Sequence, residues 1–315
     1  MVTDIAKFAS QLNGDMWHIH DFYFLHAAKK WVRKSKSAVL YDVHEYYGQY
    51  YAGKIPVPSF FKDSLSGIIE KYQVRSAKVL GAANVVAEEM AAPFRTKGVP
   101  VTVSPNYPLL SHFADLPSIP FKERRWKVLH IGTLTRSYGT ELLIELAARS
   151  LQRRLPFEFS VIERFPSPNH AHDFEELLLA AGNPRNISLI PPRPTHEIPG
   201  LLKESGFGLS LLKADGQNEV AVASKLYEHV MAGMAVVVTS RKAQRDFASK
   251  FAVGVSVASD DSDAILDAMI RIAENPNQTD IALAEKATIA RDHFTWERAV
   301  EPGVRKILRV LKNNK

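Results

Sequence analysis

The sequence contains no cysteine. Disulfide bonds and thiolate metal sites are therefore excluded, and the composition fits a reducing compartment. No apolar run approaches the roughly 20 residues that a membrane-spanning helix needs. Residues 1–15, MVTDIAKFASQLNGD, mix polar and apolar side chains and lack the apolar centre of a secretory signal. Together these absences predict a cytoplasmic protein.

Two nucleotide-binding signatures are also missing. Neither the dinucleotide pattern G-x-G-x-x-G nor the P-loop pattern G-x-x-x-x-G-K-[ST] occurs anywhere in the chain. A nicotinamide-dependent dehydrogenase and a P-loop nucleotidase are therefore excluded. The chain also shows no repeat at the periods of solenoid proteins and no low-complexity tract, which excludes repeat architectures.

The composition that remains is that of a soluble globular protein with about two domains. The chain has 315 residues, of which 46% are hydrophobic and 23% are charged. Its net charge of +6 permits attraction to phosphorylated ligands, nucleic acid or an anionic membrane surface and does not choose among them. Nucleic-acid binding would rest on this charge alone, so we predict no nucleic-acid partner. The densest basic run fits either a solvated helix face or peripheral contact with the inner membrane surface. Its members are Lys29, Lys30, Arg33, Lys34 and Lys36.

Short apolar strands alternate with amphipathic helices along the whole chain. This alternation predicts an α/β protein with parallel sheets, whose ligands gather at the carboxyl ends of the strands. A proline-containing segment at residues 109–125 is the predicted interdomain linker. We therefore predict a first domain over residues 1–118, a second over 119–295, and a C-terminal helix over 296–315 that crosses back to the first domain.

Polar residues follow two predicted strands of the first domain. The strand at residues 16–19 delivers His20 and Asp21, and the strand AVLYDV delivers His44 and Glu45. We expect these side chains to lie near one another because parallel strands end at the same sheet edge. The aromatic segment after the second strand, YYGQYYAGKIPVPSFF, is predicted to be a loop because it is rich in glycine and proline.

A second notable stretch, residues 218–240, reads NEVAVASKLYEHVMAGMAVVVTS. The pattern predicts a loop, a short helix over residues 224–231, a stop at Gly233 and a buried strand from residue 235. Ser224 is a suitable N-cap, so the amides after it would form an anion site for a phosphate or diphosphate. The stretch therefore predicts a nucleotide-binding corner.

Several segments, in order, resemble family 4 glycosyltransferases of the GT-B fold. They are SPNYP, HIGTLTRSYGTELLIELAA, HEIPGLLKESGFGLSLL and KLYEHVMAG, the last being the most specific. The resemblance implies two Rossmann-like domains that face each other across a cleft, with a nucleotide sugar on the second and the acceptor on the first. The first domain is expected to be shortened, because the chain begins about where the family's fourth strand would come.

The resemblance also assigns roles on the donor side. It implies that Glu228 binds the ribose hydroxyls, and that Lys225 and Arg136 neutralise the diphosphate as it leaves. Two cations common in the family are missing, since Thr133 and Tyr138 stand in their places. The donor-binding candidates are Gly132, Thr133, Arg136, Asn218, Glu219, Ser224, Lys225 and Glu228, with Lys225 and Arg136 also catalytic.

The acceptor-side candidates implied by the resemblance are His20, Asp21, His44 and Glu45. A histidine at the first strand end lies near the sugar-transfer centre in the family, so His20 is the third catalytic candidate. Histidine can donate or accept a proton near neutral pH, which suits the orientation or activation of a hydroxyl.

The predicted function is a retaining, metal-independent transfer of a sugar from a UDP- or GDP-linked donor to an acceptor hydroxyl. No cofactor is expected, and the acceptor would be a saccharide or lipid-linked saccharide in cell-surface polysaccharide or glycoconjugate synthesis. A second copy of the chain could complete the shortened domain. Two alternatives stay open: a degenerate GT-B protein that binds a nucleotide sugar or a partner without turnover, and a metal-dependent hydrolase that uses His18 and His20.

Overall fold

The computed structural model of the chain divides into two compact units. The first comprises Met1–Tyr107 and Trp296–Lys315, and the second comprises Pro108–Thr295. The structure describes residues 11–12, 14–35, 37–56, 58–214, 218–219, 222–251, 254–257 and 261–313. The sequence also predicts a helix over residues 1–15 that ends at Asn13 and Gly14, and most of this segment lies outside the described ranges. Within the described ranges, no helix is both long and apolar enough to cross a bilayer.

The first unit is built on a four-stranded parallel sheet. Its strands are β1 (Met16–His20), β2 (Ala38–Val43), β3 (Gly81–Val85) and β4 (Val101–Val103), which lie side by side in chain order. The helices between them are α1 (Leu25–Ser35), α2 (Tyr47–Lys54), α3 (Ser59–Leu80) and α4 (Glu88–Thr96). All pairings are parallel, so every described strand of this sheet ends at the same edge.

The prediction of a loop in the aromatic segment is wrong, because Tyr47–Lys54 of this segment forms helix α2. Its glycines do not break it, because Gly48 lies against α3: a Cβ added there would come within 2.6 Å of the Ser66 hydroxyl. A missing side chain therefore allows two helices to approach closely. The rings of Tyr47 and Tyr51 of α2 also pack against Phe22 at tilted angles, with centroids 5.9 and 5.4 Å away. Tertiary packing outweighs the local preference for a turn.

The second unit is built on a six-stranded parallel sheet. Its strands are β5 (Lys127–His130), β6 (Glu158–Ile162), β7 (Ile187–Ile190), β8 (Phe207–Ser210), β9 (Ala235–Thr239) and β10 (Gly254–Val257). Its helices are α5 (Phe121–Arg124), α6 (Thr140–Gln152), α7 (Pro168–Ala180), α8 (Ile198–Lys203), α9 (Lys225–Met231), α10 (Lys242–Phe251), α11 (Ser262–Ala273) and α12 (Pro276–His293). The prediction of an α/β fold with parallel sheets is confirmed.

The strand order of the second sheet fixes where a ligand can bind. The order is β10-β9-β8-β5-β6-β7, so the chain runs outward from β5 in one direction and from β8 in the other. Such a reversal leaves a crevice outside the carboxyl ends of the two central strands. Buried apolar residues fill both faces of this sheet, for example Phe159 on one face and Val236 on the other.

The division between the units falls after Tyr107 and not at residue 118. The reason is that Phe113 is buried in the core of the second unit, with Leu110 and Leu116 packed beside it. At the other end of the chain, α13 (Glu301–Asn313) packs its Ile307 and Leu311 against the first sheet. The segment from Trp296 onward accordingly belongs to the first unit.

Candidate functional site

A large cavity of the second unit lies at the carboxyl ends of its central strands. It has a volume of about 1010 Å³, which is the upper part of the range for small-molecule sites. Its position coincides with the reversal of strand order at β5 and β8. The lining residues are Ile131, Gly132, Thr133, Tyr138, Ile162, Glu163, Arg164, Phe165, Pro192, Arg193, Thr195, Ile198, Leu212, Asn218, Ala223, Ser224, Lys225 and Glu228.

Two glycines shape the loop that forms one wall of this pocket. Gly132 follows β5 with a φ of 134°, and Gly139 precedes α6 with a φ of 81°. Both values lie in the region that favours glycine. At Gly139 a Cβ would also come within 2.0 Å of the Leu211 carbonyl oxygen. The loop can therefore pack tightly against the end of β8, which leaves space in front of β5 for a ligand.

Lys225 reaches this loop from the first turn of α9. Its Nζ lies 3.6 Å from the position that a Cβ on Gly132 would occupy. Burial lowers the pKa of the Lys225 ammonium to about 8. Among the residues that the structure describes, no carboxylate lies within ion-pair distance of it. The amine is therefore a desolvated cation with no acidic partner, which is how an anion-binding lysine is arranged.

Two buried histidines lie beneath this lysine. His130 and His229 are 1% and 0% exposed, and no described atom forms a hydrogen bond with either ring of these two residues. Burial and the nearby Lys225 lower the pKa of both, that of His229 to about 3. Both rings are thus neutral at physiological pH, and the positive charge of this corner resides on Lys225. The ring of His229 packs directly over Gly208, where a Cβ would meet it at 2.3 Å.

Glu228 lies one turn further along α9 and also lines the pocket. Burial raises the pKa of its carboxyl group to about 7. No basic side chain in the described ranges forms an ion pair with it, and the pocket lies in front of it. The carboxylate is therefore available to accept hydrogen bonds from a ligand.

Four of the other predicted donor-side residues line the pocket, and two do not. Gly132, Thr133, Asn218 and Ser224 line the pocket, and the Asn218 amide donates to the Lys213 carbonyl at 2.9 Å. Ser224 does not act as an N-cap, since its backbone is helical and its side chain makes no capping hydrogen bond.

Two predicted donor-side residues do not belong to the pocket lining. The Arg136 guanidinium is paired with Glu141 and is mostly exposed. Glu219 is held by Arg241 at 3.0 Å and by the backbone amide of Lys242 at 3.1 Å. Their roles in transfer stay predictions.

Two arginines in the pocket lining were absent from the sequence-based candidates. Arg164 follows β6, and Arg193 follows β7 and pairs with Glu197 at 3.7 Å. The Arg164 side chain is exposed, and its backbone carbonyl accepts a hydrogen bond from Leu134. The signal that could have identified them is their place, directly after strands whose carboxyl ends form a ligand site.

The predicted acceptor-side residues form a cluster in the first unit. The His18, His20 and His44 rings surround one carboxylate oxygen of Asp42, with nitrogen-to-oxygen distances of 3.1, 3.2 and 3.1 Å. The other oxygen of Asp42 accepts a hydrogen bond from the Asn84 amide at 2.8 Å. Asp42 itself was missed from sequence, because it lies inside an otherwise apolar strand.

The two remaining acceptor-side residues shape the strand ends. Asp21 directly after β1 has a φ of 68°, which is unusual for a residue with a side chain, and its carboxylate accepts a hydrogen bond from the Tyr47 hydroxyl. Glu45 follows β2, and its carbonyl accepts a hydrogen bond from the Tyr47 amide at 2.8 Å. The sharp turn at Asp21 leaves His20 at the edge of the sheet.

The two parallel-sheet units and the pocket at the strand reversal agree with the GT-B class of fold that the sequence resemblance implies. Residues 113–289 match the sequence profile of the glycosyl transferases group 1 family. The chain belongs to this family, the family 4 glycosyltransferases. The match covers nearly all of the second unit, including the whole pocket lining. The comparison with curated proteins found no match to the chain.

Solved structures support the same fold over the whole chain. Anabaena Alr3699/HepE in complex with UDP is 14% identical and has a TM-score of 0.70, with 99% of this chain and 82% of that chain covered. Sucrose-phosphate synthase from Thermosynechococcus elongatus is 14% identical with a TM-score of 0.73, covering 100% of this chain and 78% of that one. A glycosyltransferase from Rickettsia africae is 14% identical with a TM-score of 0.66, covering 99% and 81%.

Proposed function

We propose that the chain transfers a sugar from a nucleoside-diphosphate sugar, bound in the pocket of the second unit, to an acceptor hydroxyl. One observation carries the proposal: Lys225 and Glu228 both project into that pocket from α9, and neither has a charged partner in the described part of the chain. A nucleoside diphosphate offers the complements of these two groups, a diphosphate for the cation and a ribose diol for the carboxylate.

The chemistry of transfer follows from these positions. The acceptor oxygen bonds to the anomeric carbon of the sugar as the bond between the sugar and the diphosphate breaks, and the hydroxyl proton passes to the leaving phosphate oxygen. The leaving nucleoside diphosphate gains negative charge in the transition state. A fixed cation already desolvated at that point stabilises the charge without reorganisation. Lys225 supplies this cation, and Arg164 at the same pocket supplies a second one. Side chains neutralise the diphosphate in this scheme, so donor binding requires no metal ion.

The donor is expected to be a uridine nucleotide, with guanosine as the second choice. The fold is shared with Anabaena Alr3699/HepE, whose structures contain UDP and UDP-glucose. It is also shared with a UDP-forming trehalose-phosphate synthase from Burkholderia vietnamiensis. The sugar would be a hexose, transferred with retention of configuration as the family resemblance implies. His20 is the acceptor-side candidate, and the acceptor is a saccharide or lipid-linked saccharide, which places the reaction in polysaccharide or glycoconjugate synthesis.

The direct test is donor binding by isothermal titration calorimetry, with UDP, UDP-glucose, GDP and GDP-mannose, in the presence of EDTA. Glu228→Ala should weaken binding of the preferred nucleotide by about tenfold or more, roughly 1.4 kcal/mol, because the ribose loses its hydrogen-bond acceptor. Glu175→Ala, on the exposed surface of α7, is the matched control and should bind like the wild type. Unchanged affinity in Glu228→Ala would remove the ribose assignment.

A second candidate function, donor binding without turnover, is favoured by one observation. The sequence-predicted cation Arg136 is paired with Glu141 and does not line the pocket. Incubation of the bound donor with a panel of saccharide and lipid-linked saccharide acceptors distinguishes the two functions. Release of free nucleoside diphosphate, lost in Lys225→Met, supports transfer. Quantitative recovery of intact donor supports the binding protein.

A further inference from the structure

We propose that His18, His20 and Asp42 form a binding site for one divalent transition-metal ion of the Zn²⁺ type. The ligands would be His18 Nε2, His20 Nδ1 and Asp42 Oδ2, which lie within 4.8 Å of one another. Imidazole and carboxylate are the donor set that suits Zn²⁺ and its first-row neighbours. All three residues belong to the first unit.

The backbone brings these side chains together without any loop having to move. His18 and His20 are two residues apart on β1, so both point to the same face of the sheet. Asp42 on the neighbouring strand is directly in register with His20, and Asn84 on the next strand is in register with Asp42. A row of polar side chains thus crosses three strands on one face. Rigid strands are the supports that hold metal ligands most accurately.

The spacing of the ligand atoms agrees with tetrahedral coordination. Zn²⁺ binds nitrogen and oxygen at about 2.0 to 2.2 Å, so two ligand atoms of a tetrahedral site lie about 3.3 to 3.5 Å apart. Asp42 Oδ2 lies 3.1 Å from His18 Nε2 and 3.2 Å from His20 Nδ1. An ion placed among these atoms requires Asp42 Oδ2 to move only a few tenths of an ångström away from each imidazole nitrogen, while the two histidine ligand atoms already lie within 4.8 Å of each other.

Hydrogen bonds alone account poorly for the same arrangement. One carboxylate oxygen has two lone pairs. Asp42 Oδ2 has three imidazole nitrogens around it at 3.1 to 3.2 Å, because His44 Nε2 is as close as the other two. His20 Nδ1 and His44 Nε2 also lie 3.0 Å apart, so one of them must present a lone pair to the other. A cation bound among these atoms would accept one lone pair from each ligand atom, so the nitrogens would not compete for the same carboxylate oxygen.

The surroundings match those of a metal site with an open position. Asn84 donates to Asp42 Oδ1 at 2.8 Å and fixes the carboxylate, as outer partners of metal ligands usually do. His44 lies beside the ligands as a positioning residue. The His18 and His20 side chains are 47% and 52% exposed, whereas that of Asp42 is 5% exposed. Three protein ligands with an exposed side leave a coordination position for water or a ligand oxygen, as in catalytic zinc sites.

The test is metal binding by the full chain, freed of any affinity tag, stripped with EDTA and dialysed. Titration with Zn²⁺ against a chromophoric chelator should show one ion per chain. The double variant His18→Ala/His20→Ala and the isosteric Asp42→Asn should each lower the affinity by about a hundredfold or more. His172→Ala is the control, because His172 is an exposed histidine of the second unit, and it should bind like the wild type.

Substitution of Co²⁺ for Zn²⁺ gives a second readout, because visible absorption bands report the ligands of the bound ion. These bands should appear with the wild type and disappear in both variants. Absence of stoichiometric binding in the wild type overturns the proposal, as does wild-type affinity in either variant. Circular dichroism of the metal-free variants separates loss of the site from loss of the fold. Donor binding by the second unit is measured in EDTA, so failure of either proposal leaves the other intact.

Discussion

Single residues in the donor pocket have ionisation properties set by burial. Glu228 and Lys225 are one turn apart on α9, and desolvation is the cause of the altered pKa of each, about 7 and about 8. Keeping such groups without partners costs stability, which is a common feature of functional sites. The pocket therefore predicts a measurable gain of stability when the carboxylate is removed.

We expect Glu228→Gln to have a higher free energy of unfolding than the wild type. This difference should grow as the pH rises from about 4.5 to about 7.5. The folded pKa is raised from 4.5 to about 7, so the favourable contribution of the protonated group is complete below 4.5 and is lost as the pH rises through about 7. The full effect is at most about 3.5 kcal/mol, because the pKa differs by about 2.5 units between the two states and one unit corresponds to about 1.4 kcal/mol.

Urea unfolding of the ligand-free protein at both ends of this pH range measures the difference. Glu175→Gln, which replaces an exposed carboxylate on α7, is the matched control at each pH. A stability difference for Glu228→Gln that stays constant between the two pH values would show that the carboxylate is solvated in the folded state.

The site residues that could be identified from the sequence lie in one short motif, whereas those that were missed are brought to the site by the order of the strands. Lys225 and Glu228 belong to one short motif, and both line the pocket. Arg164 comes from a distant segment, so only the sheet order shows that it shares a site with them. Asp42 is hidden for a similar reason: an aspartate inside AVLYDV acquires its partners from two neighbouring strands. Long-range pairing is the information that a single sequence does not display.

Among the elements, strands such as AVLYDV and AVVVT could be predicted well because they are short, largely apolar runs. The helix α2 could not, since its own composition opposes it and its stability comes from contact with α3 and from a tyrosine cluster. Gly48 and Gly67 are both helical glycines of this helix pair, yet their surroundings differ. A Cβ at Gly48 would meet Ser66 at 2.6 Å, whereas nothing lies within 4 Å of one at Gly67.

This contrast predicts opposite effects for the same substitution. Gly48→Ala should lower the free energy of unfolding by about 1 to 3 kcal/mol, because the added methyl group forces α2 away from α3. Gly67→Ala should raise it by up to about 1 kcal/mol, because alanine favours the helix and meets no neighbour. Urea unfolding of the two variants measures both, and a loss of stability in each would show that the α2–α3 contact is not what distinguishes them.

The whole molecule consists of two units with separate cores and different chemistry. The second unit contains the family match and the donor pocket, and its core residues all come from residues 113–290. The first unit has its own core around the sheet β1 to β4, closed on one face by α13. Each proposed ligand is therefore bound by residues of one unit, and the two sites can be tested independently in the intact chain.

Hydrogen-exchange mass spectrometry of the full chain should show this separation. The preferred nucleoside diphosphate, added in EDTA, should slow exchange in residues 131–139 and 222–231, because these segments line the pocket. Zn²⁺ should slow exchange in residues 16–20 and 38–43, where the proposed ligands lie. Glu228→Ala should lose only the first effect and His18→Ala/His20→Ala only the second. Protection of the donor-pocket segments by Zn²⁺ alone, with no change at β1 and β2, would mean that the metal binds in the second unit instead.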